Sequence, residues 1–166
     1  MRWISQFIVC VVILLASSSM AQTPIVQDPP AGTVDGVNVL SPTSVIIQLR
    51  APGKDYVHLR GDFNGFAIND ASLMNVSTDG TKHWLQINGL NGYQNWRYHF
   101  LIEGSLEVGD PYATLVVDPW NDGYIPDDHY PNMPEFPVGQ ANWPNGVFRT
   151  MPPEFSWTDA DFVRPP

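Results

Sequence analysis

Hydrophobic and polar residues along the middle of the chain alternate with the period of strands, in short runs cut by turn residues. Val37–Leu40 is the first such run, Ser44–Leu49 the second, and Tyr56–Arg60 follows the turn Ala51-Pro52-Gly53-Lys54-Asp55. Leu73–Ser77 and Lys82–Ile87 flank Thr78-Asp79-Gly80-Thr81, a spacing that predicts a hairpin. Trp96–Ile102 puts Trp96, Tyr98, Phe100 and Ile102 on one face, with Arg97, His99 and Leu101 on the other. The aromatic face marks the core side, each fully buried residue there adding about 1.5 to 3 kcal/mol, and the opposite face predicts exposed or half-exposed histidines at 58 and 99. Leu106–Val108 follows a Glu103-Gly104-Ser105 turn, and Thr114–Val117 is expected to be the last strand. No segment carries a helical period beyond two turns. Many short strands at this spacing predict an all-β sandwich.

The ends read differently. Residues 1–21 combine Arg2, an apolar run from Ile4 to Ala16 and a Ser19-Met20-Ala21 cleavage site, the pattern of a secretory signal peptide. The run is short for a membrane span. Export to the periplasm, the cell surface or the medium is therefore expected, with no membrane association after cleavage. Residues 22–35, broken by Pro24, Pro29 and Pro30, read as a leader. Beyond residue 125, nine of the sixteen prolines alternate with Tyr130, Phe136, Trp143, Phe148, Phe155, Trp157 and Phe162. A disordered linker is poor in aromatics, so residues 126–166 are expected to run extended and dock their rings on the sandwich or on a partner.

Composition narrows the chemistry. Cys10 leaves with the signal peptide, so the mature chain has no disulfide, thiolate metal site or thiol nucleophile. Seven basic residues then face seventeen acidic ones, a net charge of about −10. That surface repels phosphate backbones, and nucleic acid is excluded as a partner. Neutral sugars remain compatible, because aromatic stacking and hydrogen bonds recognise them.

Val57–Phe66, Val-His-Leu-Arg-Gly-Asp-Phe-Asn-Gly-Phe, is a strand ending in a polar turn. With Ala51-Pro52-Gly53-Lys54, Trp84, Tyr98-His99-Phe100-Leu101-Ile102-Glu103-Gly104 and Asp110-Pro111-Tyr112-Ala113, it resembles the N-terminal early-set domain of glycoside hydrolase family 13 enzymes, close to carbohydrate-binding module family 48. The resemblance covers about residues 36–125. It implies an immunoglobulin-like sandwich, with Gly61, Asp62, Phe63, Asn64, Tyr98, Phe100, Asp110 and Pro111 as its structural motif. The Asp118-Pro119-Trp120-Asn121-Asp122 run, Tyr130-Pro131-Asn132-Met133-Pro134 and the segment Phe155–Pro165 are similar to the connector leading into the catalytic barrel of secreted α-amylase-like enzymes. The implied partner is that (β/α)8 barrel, and starch- or glycogen-type α-glucan is the implied ligand. No cofactor is implied. The expectation is a non-catalytic module of an exported α-glucan-acting hydrolase; the alternative is a stand-alone secreted or periplasmic glucan-binding protein.

Retaining glycoside hydrolysis needs two carboxyl groups about 5 to 5.5 Å apart. Asp62, Asp110, Asp118 and Asp122 are the candidates, but Asp in such turns binds nearby backbone N–H groups, and the resemblance places the catalytic acids in the barrel. Asp118–His129 does not fit an EF-hand loop, because Trp120 and His129 stand where oxygen ligands belong. The histidines lack zinc spacing, so no metal site is expected. In related glycogen-binding modules a Trp, a Lys and a second Trp contact sugar; the resemblance places Phe66, His99 and Leu106 at those positions. Phe can stack and His can donate, whereas Leu offers no flat face. Phe63 is expected to plug the core. Trp84 and Trp96 are read as core, and Trp120 has no assigned role.

Overall fold

A computed structural model of the protein describes residues 23–151; the signal-peptide expectation at 1–21 and the aromatic and proline positions from 152 to 166 lie outside the described residues. The chain forms an immunoglobulin-like β-sandwich of two antiparallel sheets. Strands β1 (Gly36–Ser41), β2 (Ser44–Arg50), β4 (Asn75–Val76) and β5 (Lys82–Asn88) make the first sheet in the order β1-β2-β5-β4. The second contains β3 (Val57–Gly61), β6 (Trp96–Ile102), β7 (Leu106–Val108), β8 (Leu115–Val117) and β9 (Asn145–Phe148). Its order is β3-β6-β9-β8, and β7 also pairs with β6. With β1-β2-β5-β4 against β3-β6-β7, the path matches the four-strand and three-strand sheets of an immunoglobulin constant-type domain.

The predicted alternation forms the core as expected. Val45, Ile47 and Leu49 of β2 meet Leu59 of β3 and Tyr98 and Phe100 of β6, with Met74, Leu90 and Phe148 closing the gaps. Tyr98 packs edge-on against both Phe100 and Phe148. Phe63 is half-buried against this cluster, and Trp96 joins it from the rim. Trp84 is buried as well, but on the outer face of its sheet, where its indole N–H donates to the Gln27 carbonyl at 2.7 Å.

Two departures from the sequence expectation have clear causes. The run 73–77 does not form one strand, because the chain changes sheets there. Leu73 bridges to His58, the Met74 N–H donates to the Val57 carbonyl at 2.9 Å, and only Asn75–Val76 joins β5. The second departure is β9, which comes from the proline-rich stretch beyond residue 125 and makes Leu115–Val117 the penultimate strand. It pairs with β6 over Trp96–Tyr98 while β7 pairs with β6 over Phe100–Ile102, so two short strands share one edge of β6 end to end. Gly146 looks like a strand breaker in sequence. In the fold it is where the Tyr98 ring lies on the backbone, and a Cβ there would come within 2.9 Å of that ring.

Both sheets are also covered on their outer sides. Residues 27–35 cross the first sheet, where Asp35 accepts from the Gln48 amide at 2.7 Å and Asp28 accepts from the Thr78 N–H at 2.8 Å. Val26 adds an isolated parallel bridge to Val76. On the second sheet the loop 62–74 and the segment 135–142 do the same work. His58 and His99, expected on an exposed face, are consequently 1% exposed each.

The turn after β3 is held by side chain as much as by backbone. The Asn64 amide accepts from the Gly61 N–H at 3.0 Å and donates to the Leu59 carbonyl at 2.9 Å. Gly61 itself admits no side chain, since a Cβ would stand 2.6 Å from the Arg97 carbonyl oxygen. Asn64→Ala should therefore lower the unfolding free energy by about 1–2 kcal/mol, the loss of two partly buried hydrogen bonds, measured by urea denaturation.

Candidate functional site

The residues singled out by the sequence converge on the outer face of the second sheet. Gly61 ends β3, a single 3-10 turn spans Asp62–Asn64, and Gly65 takes a left-handed conformation with φ 60°. Phe66 comes next with φ 57°, a conformation that costs a non-glycine residue about 1–2 kcal/mol. It is over-determined there. Its N–H donates to the Gly61 carbonyl at 2.9 Å, its carbonyl accepts from Arg60 Nε at 2.8 Å, and its ring stacks on His99 with centroids 5.7 Å apart.

Asp62 faces the neighbouring strand. Its carboxylate takes the Arg97 backbone N–H at 2.8 Å and both Nε and Nη2 of the Arg97 guanidinium at 2.9 and 2.8 Å. This bidentate pair raises the guanidinium further above its already high ordinary value, by hydrogen bonding to Asp62 before any other cause. Asp110, in the turn between β7 and β8, accepts the Tyr98 hydroxyl at 2.5 Å and the Tyr112 N–H at 2.8 Å. Burial nonetheless pushes its carboxyl up, and burial and the nearby carboxylate raise the Tyr98 phenol. Asp118 is spent on its own loop, accepting from the Trp120 and Asn121 backbone and holding its carboxyl below the usual range. The carboxylates of the motif therefore organise turns and strands and are not held as a hydrolytic pair.

Directly opposite residues on paired strands share a face. Arg60 lies opposite His99 and Leu101 opposite Glu107, which puts Arg60, His99 and Glu107 on the outer side. Arg60 Nη1 reaches Glu107 Oε1 at 3.1 Å and His99 Nε2 at 3.3 Å. His99 Nδ1 meets Asn145 Oδ1 at 3.1 Å, and the Asn145 amide nitrogen donates to the Trp143 carbonyl at 2.7 Å. Because that second bond orients the amide, Oδ1 is the acceptor toward His99; Nδ1 carries the proton and Nε2 accepts from Arg60. The network thus assigns a neutral ring, and burial, with the Arg60 charge in support, lowers the His99 pKa despite Asn145 and Glu107.

Of the three sugar-contact positions implied by resemblance, the structure brings two together and separates the third. Phe66 is 5% exposed and His99 lies beneath it, so neither offers a free ring face or donor to solvent. Leu106 lies opposite Ile102, on the other side of the sheet, and is exposed. The segment 135–142 closes over Phe66: Arg97 Nη1 donates to the Glu135 carbonyl at 2.8 Å, and the Asn142 N–H donates to Glu107 at 3.2 Å. A cavity of about 470 Å³, bounded by Asp62, Phe66, Arg97 and residues 135–140, remains beside it. A larger groove of about 1080 Å³ opens between the loop after β8 and residues 130–142.

Arg60, Glu107 and Asn145 were not singled out by the sequence. Arg60 and Glu107 carry a signal only once β6 is known to separate their strands, and Asn145 sat in an Asn-Gly pair that reads as a turn. Among the described residues no group of three or more His, Cys, Asp or Glu side chains could hold a metal ion, and no helix is long and apolar enough to cross a membrane. No family model matches the chain, and no curated protein matches it.

Three buried histidines are expected to make the fold acid-sensitive. His58 and His83 join His99 in having their pKa lowered, foremost by burial. His58 Nδ1 bonds the Ser72 hydroxyl at 2.8 Å, whereas the His83 ring nitrogens lie near the Ala51 and Lys54 backbone without a well-formed hydrogen bond. A lowered folded pKa means that the unfolded chain binds the extra proton first. Stability should be flat above about pH 6.5 and fall as the pH drops below it, each histidine adding a slope of at most about 1.4 kcal/mol per pH unit. The urea midpoint measured from pH 8 to pH 5 checks this, and His83→Gln should flatten the decline.

Proposed function

We propose that the chain is the non-catalytic N-terminal module of an exported α-glucan-acting hydrolase of the α-amylase type, and that its main role is to pack against and support the catalytic barrel. One observation carries this reading. The motif residues of the resembling set are consumed internally, Asp62 by Arg97, Asn64 by the backbone of β3 and Asp110 by Tyr98. A motif used in this way specifies a rigid body and leaves no carboxylate pair for chemistry. The burial of Phe66 and His99 argues in the same direction, since it withdraws the two positions best able to hold sugar. A supporting role asks only for a stable shape with a fixed exit, and that requirement fits the double covering of both sheets.

The second reading, a stand-alone secreted or periplasmic glucan-binding protein, draws on the exposure of Trp120 and Trp143. The two separate at the gene. The first expects the reading frame to continue past Pro166 into a barrel-encoding sequence; a stop codon directly after Pro166 in the intact gene sinks it. The purified chain should also release no reducing sugar from soluble starch, and turnover above a boiled control would show that a catalytic pair exists within it.

A further inference from the structure

We propose that Trp120 and Trp143, with the groove beside them, form a platform that binds a neutral polysaccharide chain. Their rings meet edge to face, centroids 5.4 Å apart and planes at 85°, and each residue is 52% exposed. They differ from the tryptophans that serve the fold. Trp84 and Trp96 each donate their indole N–H to a carbonyl, of Gln27 and of Asn91. The indole N–H groups of Trp120 and Trp143 have no partner among the described residues, so each presents a ring and an unspent donor together.

Their backbones are nonetheless fixed. The Trp120 N–H donates to Asp118 at 2.6 Å, and the Trp143 carbonyl accepts from the Asn145 side chain at 2.7 Å. The cost of ordering the pair is therefore met by the fold before any ligand arrives. Pro119 and Asn142, the residues immediately before the two tryptophans, line the groove of about 1080 Å³. Asp127, Asn132 and Glu135 also line it, exposed, and their side chains make no hydrogen bond with the described residues. Rings with free N–H donors beside exposed carboxylate and amide groups are what a row of sugar hydroxyls needs. Anionic polymers are excluded by the groove carboxylates and by a chain carrying seventeen acidic against eight basic residues.

Trp143 reaches His99 only through Asn145, whose side chain bonds both, and the platform does not depend on a barrel beyond Pro166. A stop codon after Pro166 would overturn the module reading and leave the platform standing, whereas failure to bind polysaccharide would do the reverse. The test is native electrophoresis of the whole chain through gels containing soluble starch, dextran or mixed-linkage β-glucan. At least one polymer should retard the protein, and Trp120→Ala and Trp143→Ala should each weaken the apparent affinity tenfold or more, with Val39→Ala, exposed on β1 of the other sheet, unchanged. Acrylamide quenching of the native tryptophan fluorescence provides a readout that needs no variant, and the retarding polymer should reduce it. No retardation by any of the three polymers, or retardation and quenching that ignore both substitutions in folded variants, overturns the proposal. Retardation abolished by 0.5 M salt also overturns it, because it would show that the groove reads charge.

Discussion

Strand β6 is buried on both of its faces, and much of the remaining architecture derives from that constraint. A strand of an antiparallel sandwich ordinarily packs one face on the core and gives the other to water. Here Tyr98, Phe100 and Ile102 fill the core while His99 and Leu101 are equally withdrawn from solvent on the far side. Something must cover that side, and the described residues form no third sheet. The chain uses irregular segments instead, the loop 62–74 from one direction and residues 135–142 from the other. The first sheet shows the same solution, with Ile46 and Gln48 fully buried beneath residues 27–35.

Covering a sheet with coil brings polar groups into the interior, and each has to be answered. The Arg60–Glu107 pair, His99 and Asn145 answer one another across four strands, and Glu107 also takes the Asn142 N–H of the covering segment. A greasy patch would hold the same strands together with less demand on register. Directional bonds at 3.1 to 3.3 Å accept only one alignment of β3, β7 and β9 against β6. Removing any one partner leaves a buried charge or amide exposed to nothing, which is why such clusters cost more to break than to build.

The fold was legible in the sequence where pattern and environment agree. Trp96–Ile102 and Leu106–Val108 begin and end where alternation places them, because their core faces are decided by local residue choice. What the pattern hid was the second layer of burial. His58 and His99 alternate with apolar neighbours and so read as solvent-facing; the loop 62–74 and, for His99, the distant segment 135–142 make them otherwise. β9 was hidden for a related reason, since Asn145-Gly146 carries turn chemistry and the Tyr98 ring that requires glycine is 48 residues away. Within the candidate site, the roles of Asn64 and Asp110 in shaping turns were readable from their neighbours, whereas Asp62, expected to bond its own turn, is taken up by Arg97 on the adjacent strand. The separation of Leu106 from Phe66 was not, because it depends on which side of β6 each strand settles.

The last described turn of the chain carries a mechanical consequence. The Thr150 hydroxyl donates to the Pro42 carbonyl, and the Met151 N–H donates to the Gly92 carbonyl at 2.9 Å. Those acceptors belong to two different loops at one end of the sandwich. A single anchor would act as a swivel, whereas two on separate loops take torque. The heading on which the backbone leaves at Met151 is thus set by the sandwich, as the thread of a bolt is set by its plate, and not by whatever is carried beyond it.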